Sequence, residues 1–183
     1  MGLPEHLEKH LGLLEGGWKS RRSPTRLFCA RFPKKPVPEA STYVTMGLSD
    51  HVLSIPEHHE LRQELVFAAY DRFAPAEVGP FLRSFAEFIE EKHRALLGGD
   101  VVGPSTPLVT GVLVNSVLAY FPTLFEDAFG TFDGTDPPTA LTWVVPLHEG
   151  EANHAHAKGW RSLENLFESK APDLLDLLRP SVL

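Results

Sequence analysis

Nine histidines are the side chains in this sequence best suited to chemistry, because imidazole can ligate a metal or move a proton near neutral pH. The richest cluster is PLHEGEANHAHAKGW, which holds His148, Glu149, Glu151, His154 and His156. On one helix His154 and His156 point to nearly opposite sides and cannot share an ion. Glu151 and His154 are three apart and can, with His148 as a third ligand from the preceding strand end. Such a set would suit a metal-dependent hydrolase. The structural alternative is that Glu149 and Glu151 complement the dipole of a helix start and that His156 lies on a buried apolar stripe.

The other candidates carry less. His6 and His10 stand four apart on a first helix, but a zinc-protease motif needs Glu directly after the first His, and Leu7 is there. Ser49, in the turn GLSD, lacks the flanking glycines of a nucleophile elbow, and no glycine-rich phosphate loop occurs. Cys29 sits between apolar residues with no base beside it, the profile of a buried, inert thiol. His58-His59-Glu60 reads as a solvated turn or helix start. Glu90 and Glu91 fall on the polar side of a helix, and Asp133 and Asp136 lack the ligand series of a calcium loop. No catalytic constellation follows, so neither an enzyme nor a cofactor is expected.

The elements that would position these residues follow from periodicity. Leu3, Leu7, Leu11 and Leu14 mark a helix from Pro4 to Glu15. TRLFCARF (Thr25 to Phe32) alternates as a strand, with Phe28, Ala30 and Phe32 on one side and Leu27 and Cys29 on the other. A Pro-rich link leads to the strand at Tyr43–Thr45, and the two form an antiparallel pair. Arg62–Tyr70 reads as a strand. Val78, Phe81, Leu82, Phe85, Phe88 and Ile89 stripe a long amphipathic helix that ends near Gly98-Gly99. A short strand opens at Asp100–Val102, and GVLVNSVLAYF and TALTWVVPL are buried strands. The period then becomes helical, with Ala152, His156, Trp160, Leu163 and Phe167 on one stripe, and PDLLDLLRP makes a last short helix.

At 183 residues the chain fits a single domain over 1–183, with residues 1–24 as an N-terminal helix and loop. The irregular alternation of strands and helices predicts an α+β fold, helices packed on a mixed, mainly antiparallel sheet. A formal charge of −7 argues against sequence-independent nucleic-acid binding, and the short basic run KSRR (Lys19 to Arg22) reads as a solvated turn. No apolar run approaches the roughly 18 residues of a membrane span, and MGLPEHLEKH has no signal-like core. One cysteine excludes an internal disulfide and suits a reducing cytoplasm.

Several segments in order resemble one known family. They are GLSD (Gly47–Asp50), QELVF (Gln63–Phe67), GGDVV (Gly98–Val102), LTWVVPLHEGE (Leu141–Glu151) and DLLDLLRPSV (Asp173–Val182). Together they are similar to the suppressor of fused (SUFU) domain, in its compact bacterial form, best matched over 42–183. The resemblance implies a non-catalytic protein-binding domain. Animal members hold a transcription factor of the Hedgehog pathway by clamping a peptide strand between two domains, of which this chain matches the first. Bacterial relatives include immunity proteins that neutralise toxins. The family's peptide-binding side carries an aromatic late in the long helix and the acid of the Gly-Asp pair, which correspond to Phe88 and Asp100. Phenylalanine stands where the animal proteins have tyrosine, so no hydroxyl is available there. The implied partner is a protein, either a toxin domain or a peptide strand. The rival functions are the hydrolase built on His148, Glu151 and His154 and a structural homo-oligomer subunit.

Overall fold

Alternation along one strand decides how the sheet is covered. In β5 (His59–Tyr70), Leu65, Phe67 and Ala69 enter one apolar cluster while Val66 and Ala68 enter others on the opposite face, all of them buried. A strand covered on both faces belongs in the middle of a sheet. The computed structural model describes residues 2–19 and 27–183 and places β5 there. The other strands are β1 (Gly17–Lys19), β2 (Phe28–Pro33), β3 (Ala40–Met46), β4 (Leu53–Ile55), β6 (Val101–Val102), β7 (Val114–Tyr120), β8 (Thr131–Phe132) and β9 (Thr139–His148). The order across the sheet is β1-β2-β3-β5-β9-β7-β6, with β4 joined to β5 and β8 to β9 off that path.

The expected β2–β3 pair forms, antiparallel, with Cys29 opposite Thr45. β5 and β9 are parallel, whereas the other ladders are antiparallel. A parallel pair needs a long crossover, and α2 (Pro75–Lys92) lies within it. α2 covers one face of the sheet through Val78, Leu82, Ala86 and Ile89, packed with Cys29, Tyr43, Phe67 and Val144. The other face is shared. α1 (Leu3–Leu11) buries Leu7 and Leu11 over Phe32 and Val66. α3 (Glu149–Lys158) and α4 (Trp160–Lys170) bury Ala152, Ala155 and Leu163 over Trp143, Val145 and Leu147. The fold is therefore α+β, a mixed, mainly antiparallel sheet with helices on it.

Four local expectations need correction. α1 stops at Leu11, where the Gly12 amide closes the last turn onto the Glu8 carbonyl. α2 stops at Lys92, well before Gly98, because His93 turns left-handed and the chain is drawn onto β4 and β5. The helical stretch after Pro146 divides at Gly159 into α3 and α4. Within α3 the buried side is Glu151, Ala152 and Ala155, so His156 is exposed rather than on the apolar stripe. Finally, PDLLDLLRP is a strap of turns and not a helix. Asp173 and Asp176 each accept the amide two residues on, from Leu175 and Leu178, local bonds that compete with helix. Of the proposed Thr25–Phe32 strand, Thr25 and Arg26 lie outside the described residues, as do Ser20 to Arg22 of the basic run, whereas Lys19 ends β1.

Two buried carboxylates tie these elements together. Glu64 on β5 accepts from Thr45 Oγ1 (2.6 Å), the Gly47 amide (2.9 Å), and the Ser49 amide and hydroxyl (3.0 and 2.7 Å). It thereby holds the short 3-10 turn Leu48–Asp50 against the sheet. Burial pushes its pKa up to about 7, although these donors favour the ionised form. Glu151, in the first turn of α3, takes both ends of the Arg179 guanidinium at 2.7 and 2.6 Å. It also accepts the amides of His148 and Val182. Burial works to raise the Glu151 carboxyl, but the Arg179 contacts and those amides hold it below the usual range. This pair fastens the C-terminal strap to α3.

Two outcomes follow. Arg179→Ala leaves a fully buried carboxylate short of its cation, so the unfolding midpoint in urea should fall by an amount worth about 3–5 kcal/mol; a shift below about 1 kcal/mol would mean that the pair does not latch the strap. Glu64 carries the opposite signature. Its folded pKa of about 7 lies above the ordinary 4.5, so the folded state keeps a proton that the unfolded chain gives up. Its contribution to stability is full below 4.5 and is lost as pH rises through about 7. Glu64→Gln should remove that decline from a plot of stability against pH over this window.

Candidate functional site

The aromatic residues of α2 form a ladder that leaves the core. Phe81 meets Phe67 edge-on at 5.4 Å. Phe85 stacks on Phe81 at 6.3 Å, and Phe88 stacks on Phe85 at 6.2 Å. These positions are four and three apart, so helical geometry sets their rings in a row. The ladder ends at Phe88, which is 40% exposed, with the Lys92 ammonium 5.5 Å over its ring.

Across from this ladder runs β6, at one end of the sheet, paired among the described residues only with β7. Between them lies a groove of about 480 Å³ with Phe88, Lys92, Arg94, Asp100 and Val102 in its walls. It continues past Phe88, Val102 and Gly103 into a second stretch of about 340 Å³ that is walled by Phe81, Phe85 and Leu108. Phe88 and Asp100, which the family resemblance put forward together, both line this cavity.

The backbone of β6 is set by the turn before it. The Gly99 amide donates to the Ala119 carbonyl, and the Ala119 amide to the Asp100 carbonyl, both at 2.8 Å. The Asp100 carboxylate accepts the Leu97 amide at 2.9 Å. Gly99 has φ +98, and a Cβ there would lie 2.3 Å from the Trp160 indole nitrogen. Gly103, at the far end of β6, has φ +131, and a Cβ would fall 2.4 Å from Ser116 Oγ. Only glycine suits either place.

The proposed metal ligands do not converge. Both Glu151 oxygens are engaged by Arg179, His148 Nε2 lies 2.9 Å from the Arg179 carbonyl, and His154 Nε2 lies 2.9 Å from Ser162 Oγ. Among the described residues no group of three or more His, Cys, Asp or Glu could hold a metal ion. His6 and His10 have structural partners, the Phe129 carbonyl at 3.1 Å and Glu126 at 2.6 Å. Ser49 serves Glu64. Burial pushes the Cys29 thiol far up, away from the reactive thiolate. No helix among the described residues is long and apolar enough to cross a membrane.

Sequence reasoning missed Arg179, Lys92 and Arg94. A lone cation in the apolar run LLDLLRPSVL was a signal for Arg179, since an arginine there must be paired if it is buried. For Lys92 and Arg94 no local signal existed, because helix ends commonly carry cations.

The sequence model of the family described as Suppressor of fused protein (SUFU) matches residues 23–180. No curated protein sequence matches the chain. Solved structures share the fold. A SUFU homolog from Neisseria gonorrhoeae superposes with a TM-score of 0.76 at 19% identity, covering 98% of this chain and 93% of that one. A chain of the Sufu–Fu complex gives 0.74 at 14% identity, with 98% and 90% covered. Drosophila Suppressor of Fused gives 0.67 at 16% identity over 87% of this chain and 43% of its own.

The crowding at Gly103 makes the groove testable as a built feature. Gly103→Ala should destabilise the protein by about 2 kcal/mol or more, from backbone strain and displacement of Ser116. A thermal midpoint equal to that of the parent would show that β6 can leave β7 at no cost.

Proposed function

The chain belongs to the suppressor of fused family, and we propose on that premise that it is a protein-interaction domain that receives an extended segment of its partner in the groove between α2 and β6. The observation that carries this reading is the pairing of a half-exposed aromatic, Phe88, with the free edge of the last strand across the same cavity. An edge strand offers backbone donors and acceptors to an added strand, and adjacent pockets give selectivity. Phe88 is the anchor in this reading. Asp100 sets the strand's entry through Leu97 and lines the groove. The action is binding without catalysis, and Cys29, free and buried, suits a reducing cytoplasm. The existence of a Sufu–Fu complex supports a binding role for the fold; Fu is the partner of that protein.

A finer reading is toxin neutralisation. A formal charge of −7 speeds encounter with a cationic protein, and covering such a partner would be enough to silence it.

The test is affinity capture of the tagged protein from its own cells, with mass spectrometry of what co-elutes. One stoichiometric partner is expected, and a toxic one would support the immunity reading. Phe88→Ala should weaken its capture by about 2 kcal/mol, roughly thirtyfold. The same change should alter stability by less than about 1 kcal/mol, as for other exposed positions. Capture that is indifferent to Phe88→Ala and to Asp100→Lys would move the binding surface elsewhere.

A further inference from the structure

The groove has two ends of different chemistry. One end is apolar, walled by Phe81, Phe85 and Leu108. The other is walled by Lys92 and Arg94, where α2 stops. Asp100 shares that end, but its carboxylate turns back to the Leu97 amide. Lys92 sits over the Phe88 ring and also complements the helix C-terminus. Arg94 lies beyond the helix, so the dipole does not account for it.

Arg94 is exposed and enters no ion pair among the described residues. Its backbone, however, is fixed. Ser54 donates its amide (3.0 Å) and hydroxyl (2.8 Å) to the His93 carbonyl and accepts the Ala95 amide at 3.0 Å. A guanidinium on a pinned backbone loses less freedom when it meets a planar anion, and a carboxylate fits its fork. In a chain with 24 acids against 17 Lys and Arg, this end of the groove carries two cations against one acid, Asp100, a local excess of positive charge.

Resting on the groove as the binding site, we infer that it selects an extended segment that carries an acidic side chain and a bulky apolar one on the same face. The acid meets Lys92 and Arg94, and the apolar group fills the Phe81–Phe85–Leu108 end. Because strand side chains alternate, residues that share a face are separated by an even number of positions. The occupant is an internal stretch of a partner protein, not a cationic segment, even though the chain as a whole is acidic.

The experiment is to pan a library of random peptides, displayed as internal segments, on the intact protein. Enriched peptides should place Asp or Glu at an even spacing from an aromatic or large aliphatic residue. A synthetic copy of the best one, blocked at both ends, should bind the double variant Lys92→Glu, Arg94→Glu at least about tenfold more weakly, while circular dichroism shows that variant folded. Exchanging the peptide's acid for Lys should recover binding to the double variant. Peptides that depend on Phe88 yet ignore both charge reversals would overturn this inference and leave the groove reading standing. Binders indifferent to Phe88→Ala, or no binders at all, would overturn both.

Discussion

The site depends on one side chain on the central strand. Gln63 of β5 is fully buried and brackets the backbone of Leu96: its amide nitrogen donates to the Leu96 carbonyl at 2.8 Å, and its oxygen accepts the Leu96 amide at 3.0 Å. The same nitrogen reaches Thr142 on β9 at 2.7 Å. One polar group thus joins the middle of the sheet to the segment that leaves α2. That segment cannot continue as helix, because its backbone groups are already committed. It must run past β4 and turn at Gly98-Gly99 to become β6, and the groove is the space left between the helix and the strand so placed. Each bond is worth only about 1 kcal/mol net, but leaving such a buried group unpaired costs more, so the arrangement holds as a unit.

Glu64, the next residue, acts on the neighbouring turn in the same way, and Glu151 does so at the other end of the molecule. In each case a carboxylate inside the protein collects backbone amides from a turn or strap that it ties to the sheet or to a helix start. Such groups are costly to bury and are tolerated only when every lone pair is used. Their benefit here lies in position more than in stability: they tell irregular chain where to lie. Family-like motifs that looked inert in the sequence, GLSD with QELVF and HEGE with RPSV, are the two halves of these contacts. The turn at Gly47–Asp50 is scaffold, and its serine answers to a buried acid.

The repeated elements were legible because their cause is local. Period-two alternation marked β2, β-branched and aromatic residues marked β3, apolar runs marked β5 and β9, and the apolar stripe marked α2 and α1. Phe88 and Asp100 were reached together from the resemblance, while the cavity they line, and the cations beside them, came from the crossover that sets α2 over β6. The errors have two origins. The end of α2 was misread because the bonds that draw the chain onto β4 and β5 come from distant residues. The break between α3 and α4 and the strap after Lys170 turn instead on local features that periodicity does not record, a glycine with positive φ and aspartates that accept an amide two residues on. His156 belongs to α3, whose buried side is Glu151, Ala152 and Ala155, so the stripe drawn through it across the Gly159 break placed it on the wrong face.

The sequence by itself determined the class of fold, the central strands, the helix that carries the aromatic ladder and the family, since each is written in periodicity or in the order of short motifs. Only the tertiary structure decided that Glu151 is bound to Arg179 rather than to a metal, where α2 ends, and that Lys92, Arg94, Phe88 and Asp100 line one groove. Periodicity records which face a residue shows to its near neighbours. Hydrogen bonds from buried side chains to distant backbone obey no period, and they can be read only where the folded chain brings the two together.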